Sequence, residues 1–349
     1  MIKKDFNRIS KISSLYISAT IGAGFSSGKE LFIFFTSYKE KSNSGLILSG
    51  VLFIVIGFII LDYIRTNEIN TLNKLFLSLF GKKISQIVSL LIFVFLIGVF
   101  SIMISGMANI LHSVLNISYY CSTVIVLFMS FLIVIYNIDG IIILSQFITP
   151  LLIGGIYIIC IVLLTNNSHH VPVNSYLPNN WYISSITYIS YNIIISTVVL
   201  IDAKYLITSK NISIISSFIG GFCVFSTSIL INMVLNKYYF LIINQNLPML
   251  ILAKNTNDLI FISWSLILFF SMFTTALSSL IGCVNYIKDK IIIKTNYISL
   301  FIIIFTFFLT RIGFTELILI IYPLFGYIGI MFIIAVTLKY ILRSRNIYY

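Results

Sequence analysis

Residues 19–35 read ATIGAGFSSGKELFIFF, and the segment Gly22 to Gly28 places three glycines with Ser26 and Ser27 inside an otherwise apolar run. Glycine is a poor helix former, and serine hydroxyls compete with the backbone ladder, so unwinding is cheap here. A break near Ala23 leaves N–H groups free at the start of the second half-helix, a seat for a carboxylate. It also leaves C=O groups free at the end of the first half, a seat for a cation. Gly22, Ala23, Gly24, Phe25 and Ser26 are therefore candidate substrate contacts. The spacing G-x-G-x-x-x-G is one residue too long for a dinucleotide fingerprint and follows no strand pattern. Gly24 and Gly28 also form a G-x-x-x-G, which close packing of a neighbouring helix would equally explain.

Three further clusters could carry chemistry. In FFSMFTTALSSLIG, Ser271, Thr274, Thr275 and Ser278 recur at i, i+3, i+4 and i+7, one hydroxyl stripe on one helix face. Such hydroxyls either bond back to the preceding turn or offer neutral oxygens to a hard cation. SSITYISYNIIIS concentrates hydrogen-bonding groups, with Ser190 and Asn192 as candidate contacts, yet no Gly or Pro lies between Trp181 and Ile207. SIMISGMANI sets Ser101, Ser105 and Asn109 on one face beside Gly106, an arrangement that serves packing as well as binding.

The elements that position these groups must be membrane helices. The chain of 349 residues is 59% hydrophobic and 9% charged, with mean hydropathy +1.07. Recurrent apolar runs of about 18 residues or more in a bilayer can satisfy their backbone only as helices. Helices are predicted at 10–38, 45–65, 84–115, 119–137, 141–165, 181–206, 211–236, 257–287, 296–311 and 313–341 (predicted helices 1 to 10). The basic start runs into an apolar stretch with no A-x-A-like cleavage site, so it reads as a retained first helix.

The net charge of +12 is scattered over short loops rather than gathered in a nucleic-acid patch. With the N-terminus inside, only Lys39, Lys41, Lys237, Lys254 and Arg311 fall outside and Lys29 within a helix. All the other Lys and Arg are cytoplasmic, as are both termini. That places the protein in the cytoplasmic (inner) membrane. Cys121, Cys160, Cys223 and Cys283 sit in apolar segments without metal or redox spacing. His169 and His170 lie in an outer loop and read as solvated.

Predicted helix 6 begins about 170 residues after predicted helix 1, close to half the chain. This suggests one transmembrane domain, 1–349, of two inverted repeats at about 10–165 and 181–341, with both first helices discontinuous.

The stretch GAGFSSGKE resembles the G-A-G-F-x-S-G-x-E signature of YkvI-type bacterial membrane proteins. These in turn resemble the amino acid, polyamine and organocation transporters and the sodium symporters of the leucine-transporter fold. The ten-helix plan extends the resemblance over the whole chain. It implies an all-α fold of five plus five helices in inverted repeat. FFSMFTTA aligns without gaps to the F-F-A-G-L-T-S-S pattern of such symporters. By that resemblance a sodium ion is held by the hydroxyls of Thr274 and Thr275 and the carbonyls of Ser271, Ser18 and Ile21. In related transporters predicted helix 3 lines the substrate site opposite predicted helices 1 and 6. Lys29 and Glu316 would join the outer ends of predicted helices 1 and 10, where related symporters place a gating ion pair; two unrelated residues reaching outward is the other reading.

The function expected is a cation-coupled importer, sodium before protons, of a small zwitterion, an amino acid above all. It needs no cofactor beyond the coupling ion, and its partners are the solute and the lipid bilayer. A proton-coupled transporter and an amino-acid sensor of the spore-germination type are the alternatives. No nucleophile motif, H-E-x-x-H or convergent carboxylate pair points to an enzyme.

Overall fold

A computed structural model describes residues 2–136, 140–166 and 180–346. The call on His169 and His170 lies outside these residues. Among the described residues there is no strand, and the helices are, in order, α1 (Ile2–Thr20), α2 (Ala23–Ser26), α3 (Lys29–Phe34), α4 (Ser42–Thr66), α5 (Leu72–Leu115), α6 (Tyr119–Tyr136), α7 (Gly140–Thr165), α8 (Trp181–Asp202), α9 (Lys210–Lys237), α10 (Tyr239–Ile242), α11 (Pro248–Lys254), α12 (Asp258–Lys288), α13 (Thr295–Leu309) and α14 (Phe314–Asn346). Eight helices among the described residues are long and apolar enough to cross a membrane, and Tyr119–Ile135 is apolar but shorter.

The first segment is divided twice. The α1 ladder ends with Ile21 N–H bonding Ile17 O at 2.7 Å, and a fresh turn begins with Ser26 N–H on Gly22 O at 3.0 Å. Gly28 then adopts φ 82°, a left-handed conformation natural to glycine, before α3 starts. A single isolated turn, α2, is left between the two breaks, packed against α5 and α12.

Predicted helix 6 corrects an expectation. The second discontinuity does not form: α8 runs unbroken from Trp181 to Asp202 and bends only at Ala203, ahead of a 3-10 turn at Lys204–Leu206. Ser185, Ser190, Asn192, Ser196 and Thr197 each bond a carbonyl four residues back, so these five side chains are satisfied by the helix itself. With no glycine or proline inside, nothing lowers the cost of opening.

Two other differences have local causes. Predicted helix 3 gains a lead-in, because α5 starts at Leu72 and turns at Gly81, φ 74°. The outer loop after α9 folds into α10 and α11, with Pro248 in the first turn of α11 and Leu247, Met249 and Leu250 buried.

α12 packs along α5, α4 along α9, and α14 along α8, while α1 lies among α7, α8 and α9. The enclosure differs by span: 83% of the apolar window of α8 is buried against 28% for α13. Polar groups on α8 therefore face protein, and α13 faces lipid.

Candidate functional site

The C-terminal end of α1 meets the hydroxyl stripe of α12. Ser271 Oγ donates to Ile21 O at 2.8 Å, and Thr275 Oγ1 donates to Ser18 O at 3.2 Å and to its own Ser271 O at 3.3 Å. Thr274 Oγ1 also donates to Ser271 O, at 2.9 Å. The structure thus brings together Ser18, Ile21, Ser271, Thr274 and Thr275, all buried. Ser26, placed by sequence among the substrate contacts, stands at the edge of this group, with Oγ on Gly22 O at 2.7 Å and 3.5 Å from Ser271 Oγ.

Glycine keeps this approach uncrowded. A Cβ on Gly22 would lie 3.2 Å from Thr275 Oγ1 and 3.1 Å from Met103 Cε. The donor set is neutral oxygen throughout, carbonyl and hydroxyl, which suits a small hard monovalent cation. Binding one needs only that the Thr275, Thr274 and Ser271 hydroxyl protons rotate away and present lone pairs.

On the other side of the break lies a residue outside the sequence-derived contact set. Glu30 is 2% exposed, and its carboxyl folds back onto Gly24, filling the space a side chain there would take. Tyr191 OH of α8 donates to Glu30 Oε2 at 2.8 Å, and Tyr322 of α14 stands beside it, close enough to the carboxyl to interact with it electrostatically. The two rings stack with centroids 4.3 Å apart and 14° between planes. Glu30 thereby links α3, α8 and α14. A lone acid in the run KELFIFF was the available signal; the tyrosines were masked by the abundance of Tyr in the chain.

The remaining candidates take their hydrogen bonds within their own helices or from other elements. Ser101 bonds back to Ile97 O, Ser190 to Ile186 O, and Asn192 to Tyr188 O. Ser105 pairs with Tyr119 OH, which itself donates to Thr310 O, tying α5 to α6 and the end of α13. Phe25 is fully buried in the core. α2 begins at Ala23.

The Lys29–Glu316 pair is not made in this structure. Lys29, 6% exposed, donates to Gln245 O at 2.8 Å, while Glu316 is exposed and folds onto Gly313. Lys29 Nζ is captured by the α10–α11 loop, whose carbonyl is nearer than the carboxylate. That same loop bonds Met249 N–H to Ser27 O at 2.9 Å and accepts Thr315 Oγ1 on Asn246 Oδ1 at 2.7 Å. It lies across the break as a cover, anchored to both α3 and α14. At the opposite, positively charged end a cavity of about 290 Å³ opens between the starts of α5 and the ends of α8 and α12. Its lining includes Val198 and Gly282, the latter two turns along α12 from Thr275.

A first segment broken at mid-depth, clasped by α12 and enclosed by α8 and α14, defines an all-α membrane protein of the leucine-transporter fold. No protein-family model matches the chain. It is similar along 97% of its length to the uncharacterized membrane protein YkvI of Bacillus subtilis (strain 168), with 25% identity over 343 residues and 98% of that protein covered. The uncharacterized protein YyaD of the same strain is 20% identical over 333 residues, covering 95% of this chain and 96% of that one. Among solved structures, a Na+-coupled sialic acid symporter in its substrate-bound outward-open state aligns with TM-score 0.63 and 16% identity, over 92% of this chain and 75% of the symporter. Mhp1, a nucleobase-cation-symport-1 family transporter in a closed conformation, aligns with TM-score 0.57 and 12% identity, over 93% and 71%.

Proposed function

We propose that this protein is a sodium-coupled secondary transporter of a small zwitterionic solute, an amino acid above all, resident in the cytoplasmic membrane with both termini inside. The observation that carries the reading is the junction of α1 and α12, where the Ser18 and Ile21 carbonyls at a helix end meet the Thr275 and Ser271 hydroxyls. Helix packing alone requires close approach at Gly22; it does not require two carbonyls of α1 to be met by two hydroxyls of α12 at one place. An ion there would bind α1 to α12, and its release would free the broken segment to move against the rest, the coupling that alternating access needs.

Lys29 and Glu316 remain candidates for an outer gate in another conformation. The two solved structures above, a Na+-coupled sialic acid symporter and a nucleobase-cation-symport-1 family transporter, align over most of the chain, which supports the reading. The test is uptake of a labelled amino-acid mixture into proteoliposomes. Accumulation driven by an inward sodium gradient, absent with potassium, is expected. Solute binding without accumulation under any gradient would replace the transporter with a sensor, and accumulation driven by a proton gradient alone would replace the coupling ion.

A further inference from the structure

We propose that Glu30, held by Tyr191 with Tyr322 stacked behind it, is the seat of an ammonium group on the cargo, so that recognition at the helix break runs through the solute's cation and not its carboxylate. This rests on the transporter reading for the word cargo, but the site itself is argued from the groups around it.

A carboxylate enclosed in protein costs several kcal/mol unless it is paired. Glu30 is 2% exposed, yet the salt bridges among the described residues are Arg8–Asp5 and Arg65–Asp62, and Glu30 is in neither. The adjacent Lys29 turns away to Gln245 O. What surrounds Glu30 instead is aromatic. Tyr191 hydrogen-bonds it, and Tyr322 stacks on Tyr191. Tyr188 packs edge-on to Tyr191 at 5.6 Å, and Phe34 lies 5.6 Å from Tyr191 and 5.7 Å from Tyr188. The Tyr188 hydroxyl is buried, in a residue 1% exposed, and has no hydrogen-bond partner.

A fixed carboxylate, aromatic walls and a spare hydroxyl are the elements that recognise an organic ammonium, by charge-assisted hydrogen bonding and cation–π attraction. The same geometry disfavours the orientation that the free N–H groups of α2 suggest. The Glu30 carboxyl already lies against Gly24, the second residue of α2. A solute carboxylate delivered there would meet a like charge in a site of low dielectric.

The test is a ligand series on purified protein in detergent, read by thermal shift in saturating sodium. It comprises the common amino acids, the primary amines left by removing their carboxyl groups, and the 2-deamino acids left by removing their amino groups. At least one amine is expected to stabilise the wild type, and no 2-deamino acid is. Stabilisation by the deamino acids, or by none of the amines, overturns the proposal without recourse to any variant. Glu30→Gln keeps the volume and removes the charge. It should weaken amine binding by at least about thirtyfold while the sodium-dependent shift survives. Glu30→Asp should retain the amine preference if Glu30→Gln fails to fold. Unchanged amine affinity in Glu30→Gln would also overturn the assignment. Failure of sodium-driven uptake with amine binding intact would sink the transporter reading and leave this seat standing.

Discussion

α1–α3 and α8 are the two segments in which polar residues concentrate at mid-membrane depth, and they solve the same problem in opposite ways. The first carries Gly22, Gly24 and Gly28 and comes apart at two places; the second carries as many hydroxyls and an asparagine and stays whole. Hydrogen-bonding side chains alone do not open a helix in a bilayer, because each can return its proton to a carbonyl four residues back, as five side chains of α8 do. Opening needs backbone freedom, which glycine gives, and outside partners for the groups released. At the break those partners are Ser271 and Thr275 for the α1 carbonyls and Met249 N–H for Ser27 O. The two proposed sites follow the break: the α1 and α12 oxygens lie on its N-terminal side and Glu30 on its C-terminal side. α8 contributes to the site through a side chain, Tyr191, and not through its backbone.

The largest effect expected on this contrast comes from Gly24→Leu, which drives a side chain into the space of the Glu30 carboxyl. Loss of solute binding together with destabilisation by about 3 kcal/mol or more is predicted, since overpacking and displacement of a buried acid add. Thermal unfolding in detergent with a binding assay checks both. The cause is separable: Gly24→Ala should cost much less in a Glu30→Ala background than in the wild type, by about 1 kcal/mol or more of coupling. Additive costs would mean that Gly24 faces something other than Glu30.

Gly22→Ala comes next. Its Cβ would crowd Thr275 Oγ1 and Met103, so about 1–3 kcal/mol of stability and a weakened sodium response are expected from a single methyl group. Lys29→Met should cost about 1–2 kcal/mol by removing the charged bond to Gln245 O. It should also speed labelling of a cysteine placed at Asn246. Exchanging the charges, Lys29→Glu with Glu316→Lys, should not restore the stability that Lys29→Glu loses with the Gln245 bond; full restoration would put the ion pair back in the account. The smallest effect is expected in α8: Asn192→Ala should cost less than about 1 kcal/mol, because Asn192 Nδ2 bonds only a carbonyl of its own helix.

How far the sequence could be read follows the same division. The first break was legible because glycine density signals backbone freedom directly. The meeting of α1 with α12 was reachable through the alignment of FFSMFTTA, and the places of the apolar segments through hydropathy, eight of them long and apolar enough to cross a membrane among the described residues. The continuity of α8 was present in the sequence as the absence of Gly and Pro between Trp181 and Ile207, but symmetry with the first segment argued against it. Glu30's partners were not legible, since Tyr191 and Tyr322 lie 161 and 292 positions away in the chain, and only packing reveals that α8 and α14 converge on α3. The Gln245 carbonyl as the partner of Lys29 was hidden for a related reason: backbone acceptors in a loop leave no residue-type signature, whereas Glu316 did.

The central claim is that the broken first segment and the α12 stripe together form one sodium seat. Its most direct test is the thermal stability of purified protein titrated with sodium or potassium at constant ionic strength, for the wild type and for Thr274→Val with Thr275→Ala. Sodium should stabilise the wild type saturably, by about 1.4 kcal/mol once its concentration is ten times Kd, and potassium should not. The double variant, which deletes two oxygens at nearly constant helix packing, should lose that response. Equal stabilisation by both cations, or a sodium response undiminished in the double variant, would contradict the account.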